Sequence, residues 1–391
     1  MNPSGGGSGV CGGAVADESR ILVSIERMNR WVEIEVSERV VMIEAGMNTQ
    51  KLQEKLKEHG LMLPQNIGSA EWSTIGGNVA VGSGSPFSLK YGVTADWVRN
   101  LEVVLPNGET IWTGNLSRKN ATGLQLTRLF CGSEGKLGII TKVCLELLPI
   151  RENELLFFIQ GEEAQLIRLM NEIFLHNLQP LAMEFIDKKG MVLLEKYLFS
   201  SFAGEQGEIH FQQAAMWLSF EETYEMAQLH LALSQILYEL GIYDLPKMIP
   251  SEAQAAAWKV RFAIGRAVIQ ASIFREIDAC VPRKSVQNWL DFLAVHAQKY
   301  GYEYTAFGHL GDGNLHINLL KMNLSEQDWE NINQNAVIEL FQYIISIGGV
   351  ISGEHGTGQL QKRFLPLQFT ETEWKWREKI RKMFDEKGIF E

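Results

Sequence analysis

Cysteine is scarce in this chain: Cys11, Cys131, Cys144 and Cys280 stand far apart and no Cys-x-x-Cys spacing occurs. Neither an iron–sulfur cluster nor a disulfide framework is suggested, and a reducing, cytoplasmic setting is the default expectation. Long hydrophobic runs are missing as well. Without a run of about eighteen apolar residues or a charged-then-apolar opening, export and membrane spanning are not expected, and membrane contact is peripheral at most. There is no Lys/Arg run, and a formal charge of −11 argues against a nucleic-acid surface. Neither the Gly-x-Gly-x-x-Gly strand-to-helix fingerprint nor the Gly-Lys-Ser/Thr phosphate loop occurs, so a Rossmann NAD site and an ATPase are both unsupported. No internal repeat is seen, and low complexity is confined to the first thirteen residues.

What remains is a chain of 391 residues with 46% hydrophobic content, enough for two domains with cores of their own. The first part mixes glycine with β-branched residues. Val40 to Ala45 reads as a strand, and Asn48 caps a helix that carries Leu52 and Leu56 on one face and ends at Gly60. Leu101–Leu105 and Thr110–Thr113 flank Asn107-Gly108, a hairpin turn dipeptide. A long apolar strand from Gly138 to Leu148, closed by Pro149, marks the boundary, giving domains 1–149 and 150–391. Beyond it, amphipathic helices alternate with strands. Leu166, Ile167, Met170, Ile173 and Phe174 share one helical face, and Leu229, Leu233, Ile236, Leu237 and Leu240 another. A third helix opens at Ser325, with Asp328 as its capping partner, and runs to Gly348-Gly349.

Three glycine-rich tracts fall in the first domain: Ser4 to Gly9, Thr74 to Ser85, and Gly132 to Gly138. Glycine lets successive backbone N–H groups converge on an anion, so three such loops point to a large phosphate-bearing cofactor. The first tract is equally compatible with an engineered linker, and all three with a loop-rich fold.

In the second domain Tyr302–His309 and Asn314–Leu320 alternate polar with apolar residues around Gly311-Asp312-Gly313, and they read as a hairpin. Period two puts Asn314, His316 and Asn318 on one face and Leu315, Ile317 and Leu319 in the core, with His309 on the polar side. A lone strand histidine is more often a hydrogen-bonded structural residue than a ligand. Here Ser352-Gly353-Glu354-His355-Gly356 follows, and its glycines let Glu354 and His355 aim at one site. Two imidazoles and a carboxylate, His309, His316 and Glu354, are a ligand set that leaves positions open on a divalent cation. His355 is then available to move protons.

Five motifs, SGGGSGVCGGAV (4–15), STIGGNVAVGSG (73–84), LFCGSEGKLGIIT (129–141), GHLGDGNLHIN (308–318) and SGEHGTG (352–358), resemble in content and order the FAD-linked 2-hydroxy acid dehydrogenases of the vanillyl-alcohol-oxidase fold. That family includes D-lactate dehydrogenase, D-2-hydroxyglutarate dehydrogenase and the flavoprotein subunit of glycolate oxidase. The resemblance covers nearly the whole chain, although family members carry further residues ahead of the first loop. It implies an α+β protein, with an FAD-binding domain followed by a substrate domain of antiparallel sheet and flanking helices. By the family pattern, Gly5, Gly6, Gly7, Ser8 and Gly9 bind the pyrophosphate, while Pro64, Gly68, Thr74, Gly77, Asn78, Gly84, Gly138 and Ile140 line the rest of the flavin. His309, His316 and Glu354 match metal ligands, with zinc named first and manganese or iron as alternatives. His355 matches the catalytic base, Arg261 the carboxylate-binding arginine and Asn318 a further substrate contact. No histidine precedes His59, so FAD is expected to be noncovalent. The implied reaction is oxidation of a small D-2-hydroxy acid, D-lactate or glycolate, to the 2-oxo acid. A dicarboxylate is less favoured, because Glu276 rather than a cation stands near Asp278. The electron acceptor or partner subunit is unspecified. The other reading is a non-catalytic or degenerate flavoprotein subunit of an oxidase complex.

Overall fold

Short runs of β-branched residues separated by glycine and proline set strands edge to edge, and longer apolar stripes set helices on them. The computed structural model describes residues 1–16, 18–151, 154–201, 211–222 and 225–390. They form two compact units: Met1–Phe87, Tyr91–Arg151 and Glu354–Glu391 in the first, Ser88–Lys90 and Glu152–Gly353 in the second.

In the first unit β1 (Asn2–Ser4) and β2 (Leu22–Ser24) form a parallel pair. A five-stranded sheet is built from β3 (Trp31–Glu35), β4 (Val40–Glu44), β6 (Val98–Val104), β7 (Thr110–Trp112) and β8 (Ile139–Glu146) in the order β3-β4-β8-β6-β7. A small antiparallel pair joins β5 (Leu61–Met62) to β9 (Leu148–Pro149). The apolar stretch expected as one strand from Gly138 to Leu148 is therefore two, broken at Leu147, whose N–H turns aside to Arg39 O. Asn48 caps the helix Thr49–Lys57 by accepting from the N–H of Lys51. Leu52 and Leu56 of that helix are fully buried together with Val41, Ile43, Leu101, Val103 and Val143 of the sheet. Each such side chain contributes about 2 kcal/mol by leaving water. The β6–β7 turn has Gly108 at φ 88° and the Asn107 side chain accepting from the N–H of Glu109.

Residues 354–391 belong to this first unit, whereas the sequence division placed them with the second domain. Their ties explain it. Gln359 donates its N–H to Cys11 O, Phe384 meets Phe130 edge-on with ring centroids 5.3 Å apart, and the N-terminal ammonium of Met1 donates to Ile389 O. All of these partners lie far back in the chain, beyond the reach of local pattern.

The second unit holds one antiparallel sheet of seven strands: β10 (Glu154–Gly161), β11 (Ala182–Ile186), β12 (Ala214–Glu221), β13 (Lys247–Ile249), β14 (Phe274–Cys280), β15 (Glu303–His309) and β16 (Asn314–Leu320). Their spatial order is β13-β10-β12-β11-β15-β16-β14. The helical stripes face a core as expected, with Leu166, Ile167, Met170, Leu229, Leu233 and Ile236 all buried. Ser325 accepts from the N–H of Asp328, and the helix that follows passes through a π-helical segment, Ile332–Ala336, before ending at Ser346. Among the described residues no helix is long and apolar enough to cross a membrane.

Candidate functional site

In an antiparallel sheet, residues paired across strands point to the same side. Glu184 of β11 pairs with His309 of β15, which pairs with Asn314 of β16. Phe307 pairs with His316, His316 with Asp278 of β14, and Asn318 with Glu276. One face of four adjacent strands thus carries Glu184, His309, His316, Asn314, Asn318, Asp278 and Glu276. Leu315, Ile317 and Leu319 point to the other face and are fully buried, as the alternation predicts. The link between the two histidine strands is a 3₁₀ turn, Leu310–Asp312, closed by Gly313 at φ 74°.

The polar face is organised by Glu184, which is itself completely buried. A buried carboxylate must be paired, and this one is paired twice. One oxygen accepts from His309 Nδ1 at 2.7 Å and the other lies 2.6 Å from an Nη of Arg261. With Nδ1–H donated to Glu184, the neutral His309 ring carries its lone pair on Nε2. His316 lies beside it, ring centroids 5.4 Å apart and nearly perpendicular, with ring nitrogens of the two within 4.8 Å. His316 Nδ1 is 3.4 Å from Glu276 and 3.7 Å from Asp278. Asp278 accepts from Asn314, from the Ser352 hydroxyl and from the N–H of Gly353 at 2.8–3.0 Å. That fixes the segment that leads, one peptide bond later, to Glu354. Asn318 is buried and donates its side-chain amide to His316 O.

Arg261 ends the helix Ser251–Phe262. The helix is pinned one turn earlier, where Trp258 Nε1 donates to Glu154 at 2.7 Å. The guanidinium lies over the ring of Phe307 at 5.6 Å and is buried, and its Nε has no hydrogen-bond acceptor among the described residues. Two imidazoles screened from solvent, their Nδ1 atoms facing carboxylates, are the donor set a borderline divalent cation accepts.

In the first unit the glycine tracts are packed, which rules out a free linker at Ser4–Gly9. A Cβ on Gly5 would fall 2.2 Å from Thr74 Oγ1 and one on Gly6 would fall 1.8 Å from Trp72 O. A Cβ on Gly7 or Gly9 would meet nothing within 4 Å. One side of the loop is thus pressed on the 72–77 segment and the other is open, a cradle of backbone that suits an extended phosphate-bearing cofactor. Thr74 caps the short helix Ile75–Val81 by accepting from the N–H of Gly77, and Asn78 donates to Thr49 Oγ1 at 2.9 Å. Pro64 is buried and Gly68 exposed in the loop after β5. Gly138 lets its backbone approach Val103 and Val104 of β6, and Ile140 lies in the core. Gly84 leaves room for Glu354, whose carboxylate a Cβ there would meet at 2.5 Å.

His355 is half-buried beside Glu354, with Nε2 at 3.6 Å from the carboxylate. The tract that carries them is held by Glu134 of the third glycine loop, which accepts from the Thr357 N–H and hydroxyl and from the Gly358 N–H at 2.7–3.1 Å. Burial pushes the Glu134 carboxyl up, but nearby Lys136 and these donated bonds outweigh it and hold it below its ordinary 4.5. A depressed carboxylate stabilises the folded state above its unfolded pKa, and that contribution fades as pH falls through the folded value. Wild-type urea midpoints should accordingly fall from about pH 5 downward, and Glu134→Gln should flatten that part of the profile. Parallel profiles for the two proteins would show that Glu134 does not carry it.

Two of these positions escaped the sequence reading, Glu184 and Glu134, and Glu276 entered it only through the substrate preference, not as a neighbour of His316. Only Glu184 left a clear signal, as the single charge in the buried run Ala-Met-Glu-Phe-Ile.

The architecture defines a class. The solved structure of p-cresol methylhydroxylase with substrate bound superposes with a TM-score of 0.72 at 15% identity, over 93% of this chain and 77% of that one. This is the vanillyl-alcohol-oxidase fold. Residues 1–114 match the FAD binding domain family and residues 152–391 the family of FAD linked oxidases, C-terminal domain. The chain belongs to the FAD-linked oxidases and is an FAD-linked oxidoreductase. D-lactate dehydrogenase of Archaeoglobus fulgidus is 32% identical over 386 residues, 98% of this chain and 83% of that protein. The glycolate oxidase subunit GlcD of Bacillus subtilis is 29% identical over 393 residues, 99% of this chain and 82% of that protein.

Proposed function

We propose that this protein oxidises a small D-2-hydroxy acid, D-lactate or glycolate, to the corresponding 2-oxo acid. The observation that carries the reading is the buried line Arg261–Glu184–His309 with His316 beside it. It combines a desolvated guanidinium with paired imidazoles on one sheet face, and the names of the similar proteins agree with it. Arg261 spends one nitrogen on Glu184 and offers its remaining donors to the substrate carboxylate, a planar two-pronged match. Asn318 adds a polar contact that orients the acid. A ring nitrogen of His355 takes the hydroxyl proton, as a base whose ordinary pKa lies near the working pH. The hydrogen on Cα leaves with its electron pair and the C–O bond becomes a carbonyl.

FAD, bound noncovalently along the glycine cradle, supplies the acceptor for that electron pair. His309 and His316, with Glu354, would hold a divalent cation, zinc first among the candidates. It would supply Lewis acidity toward the substrate hydroxyl. Electrons then pass to an acceptor or partner subunit.

Reconstitution tests the reading. The purified chain incubated with FAD should turn yellow and be bleached anaerobically by D-lactate or glycolate. A protein that stays colourless sinks it. A yellow protein that no 2-hydroxy acid bleaches is a non-catalytic flavoprotein subunit instead.

A further inference from the structure

The helix that delivers Arg261, Ser251–Phe262, has few buried side chains with which to hold its place. They are Trp258 and Arg261, and the turn before Trp258 is Ala255-Ala256-Ala257, whose short side chains make shallow ridges. Directional bonds set its position instead. Gln254, Trp258 and Arg261 are spaced by four and then three residues, so they form one stripe along the helix. The first two are gripped by the opening residue of β10. Trp258 Nε1 donates to a carboxylate oxygen of Glu154 at 2.7 Å, and Gln254 Nε2 donates to Glu154 O at 2.8 Å and to Ile249 O at 3.2 Å. The other carboxylate oxygen of Glu154 accepts from the hydroxyl of Ser219 on β12 at 3.1 Å, which ties the clamp to the neighbouring strand. Glu154 thus fixes both the height and the rotation of the helix. Arg261 is the far end of the fixed stripe, roughly 4–5 Å along the axis from Trp258.

We propose that Glu154 is a positioning residue for the substrate carboxylate, acting through Trp258 on Arg261. This inference rests on the function proposed above. Glu184 holds one Nη of Arg261 at 2.6 Å, which fixes a point and not a plane. A two-pronged match to a carboxylate demands the plane of the guanidinium as well as its charge. The helix supplies that second constraint, and the Glu154 clamp holds the helix. A displacement of about 1 Å in such a contact costs up to roughly a hundredfold. With the clamp loosened, the charge of Arg261 stays on Glu184 while the aim of its fork is lost.

The experiment measures anaerobic flavin reduction by D-lactate in the FAD-reconstituted full chain, as a limiting rate and a half-saturating concentration. Glu154→Ala and Trp258→Phe should each raise the half-saturating concentration roughly tenfold and leave the limiting rate within about threefold, because ground and transition states share the carboxylate grip. Glu154→Gln keeps an oxygen acceptor for Trp258 Nε1 and should stay within about threefold of wild type in both quantities. Added to Arg261→Lys, which already forfeits the fork, Glu154→Ala should raise the half-saturating concentration by about threefold or less. Half-saturation within about threefold of wild type in both Glu154→Ala and Trp258→Phe overturns the proposal. So does a fall in the limiting rate alone, which would make Glu154 a prop of the fold. If Glu154→Ala does not fold, Trp258→Phe, which keeps a buried ring, decides by the same criterion. A full tenfold effect of Glu154→Ala on top of Arg261→Lys overturns the route through Arg261. If no 2-hydroxy acid reduces the wild-type flavin, the proposed function falls and takes this inference with it, whereas unchanged half-saturation strikes this inference alone.

Discussion

Replacing His355 with alanine should leave the flavin bound and slow its anaerobic bleaching by D-lactate by about a thousandfold. A positioned general base is worth on the order of 10² to 10⁴ in rate. Glu354 adjoins His355, but if it serves as the proposed cation ligand it is a poor proton acceptor. The variant should fold normally, because Thr357 and Gly358 still anchor the tract to Glu134. Retained flavin absorbance with lost bleaching is therefore the expected pair of results, read by stopped-flow absorbance. Bleaching at the wild-type rate would remove His355 from the chemistry.

Glu184→Ala should be the most destabilising single change on the polar face. It strips the partner from a buried guanidinium, and an uncompensated buried charge costs about 3–5 kcal/mol. Urea denaturation should show the loss as a lower midpoint with little change in slope. Pairing Glu184→Leu with Arg261→Met should recover most of the stability, since the cost lies in the orphaned charge and not in the absence of an ion pair. Glu184→Gln separates a second effect. It keeps a hydrogen-bond acceptor for His309 but weakens its hold on the tautomer, and affinity for zinc or manganese, measured by calorimetry on the flavin-free protein, should fall about 10–100-fold. An unchanged midpoint in Glu184→Ala would contradict the first effect, and unchanged metal affinity in Glu184→Gln the second.

The histidine strands were legible because period two is a property of neighbours. Once Asn314, His316 and Asn318 alternate with Leu315, Ile317 and Leu319, the polar face follows from strand geometry alone. Glu184 was not legible in that way. It joins His309 across 125 residues of sequence, and no spacing rule links a lone acid on one strand to a histidine on another. The glycine tracts announced loops, but each glycine answers a different demand. Gly6 admits the Trp72 carbonyl, Gly84 admits Glu354 and Gly138 admits β6. The unit to which residues 354–391 belong was hidden for the same reason as Glu184: Glu134 and Thr357 are 223 residues apart. Sequence pattern reports short-range periodicity, and this molecule closes its units with long-range pairs.

The division of the chain has a consequence for how the protein is made. Residues 152–353 are contiguous, so the second unit has nearly all its sequence in hand as soon as Gly353 has left the ribosome. The first unit has to wait for Phe384 to reach Phe130 and for Thr357 to reach Glu134. At about 5–20 residues per second, synthesis of the intervening stretch takes on the order of 10–40 s. For that interval the glycine loops and the Phe130 surface exist without their closing partners, a nascent state exposed to chaperones and to aggregation. The part of the chain that begins first is thus the part that finishes last, and yield in vivo should respond to translation speed between Glu152 and Gly353 more than to speed before it.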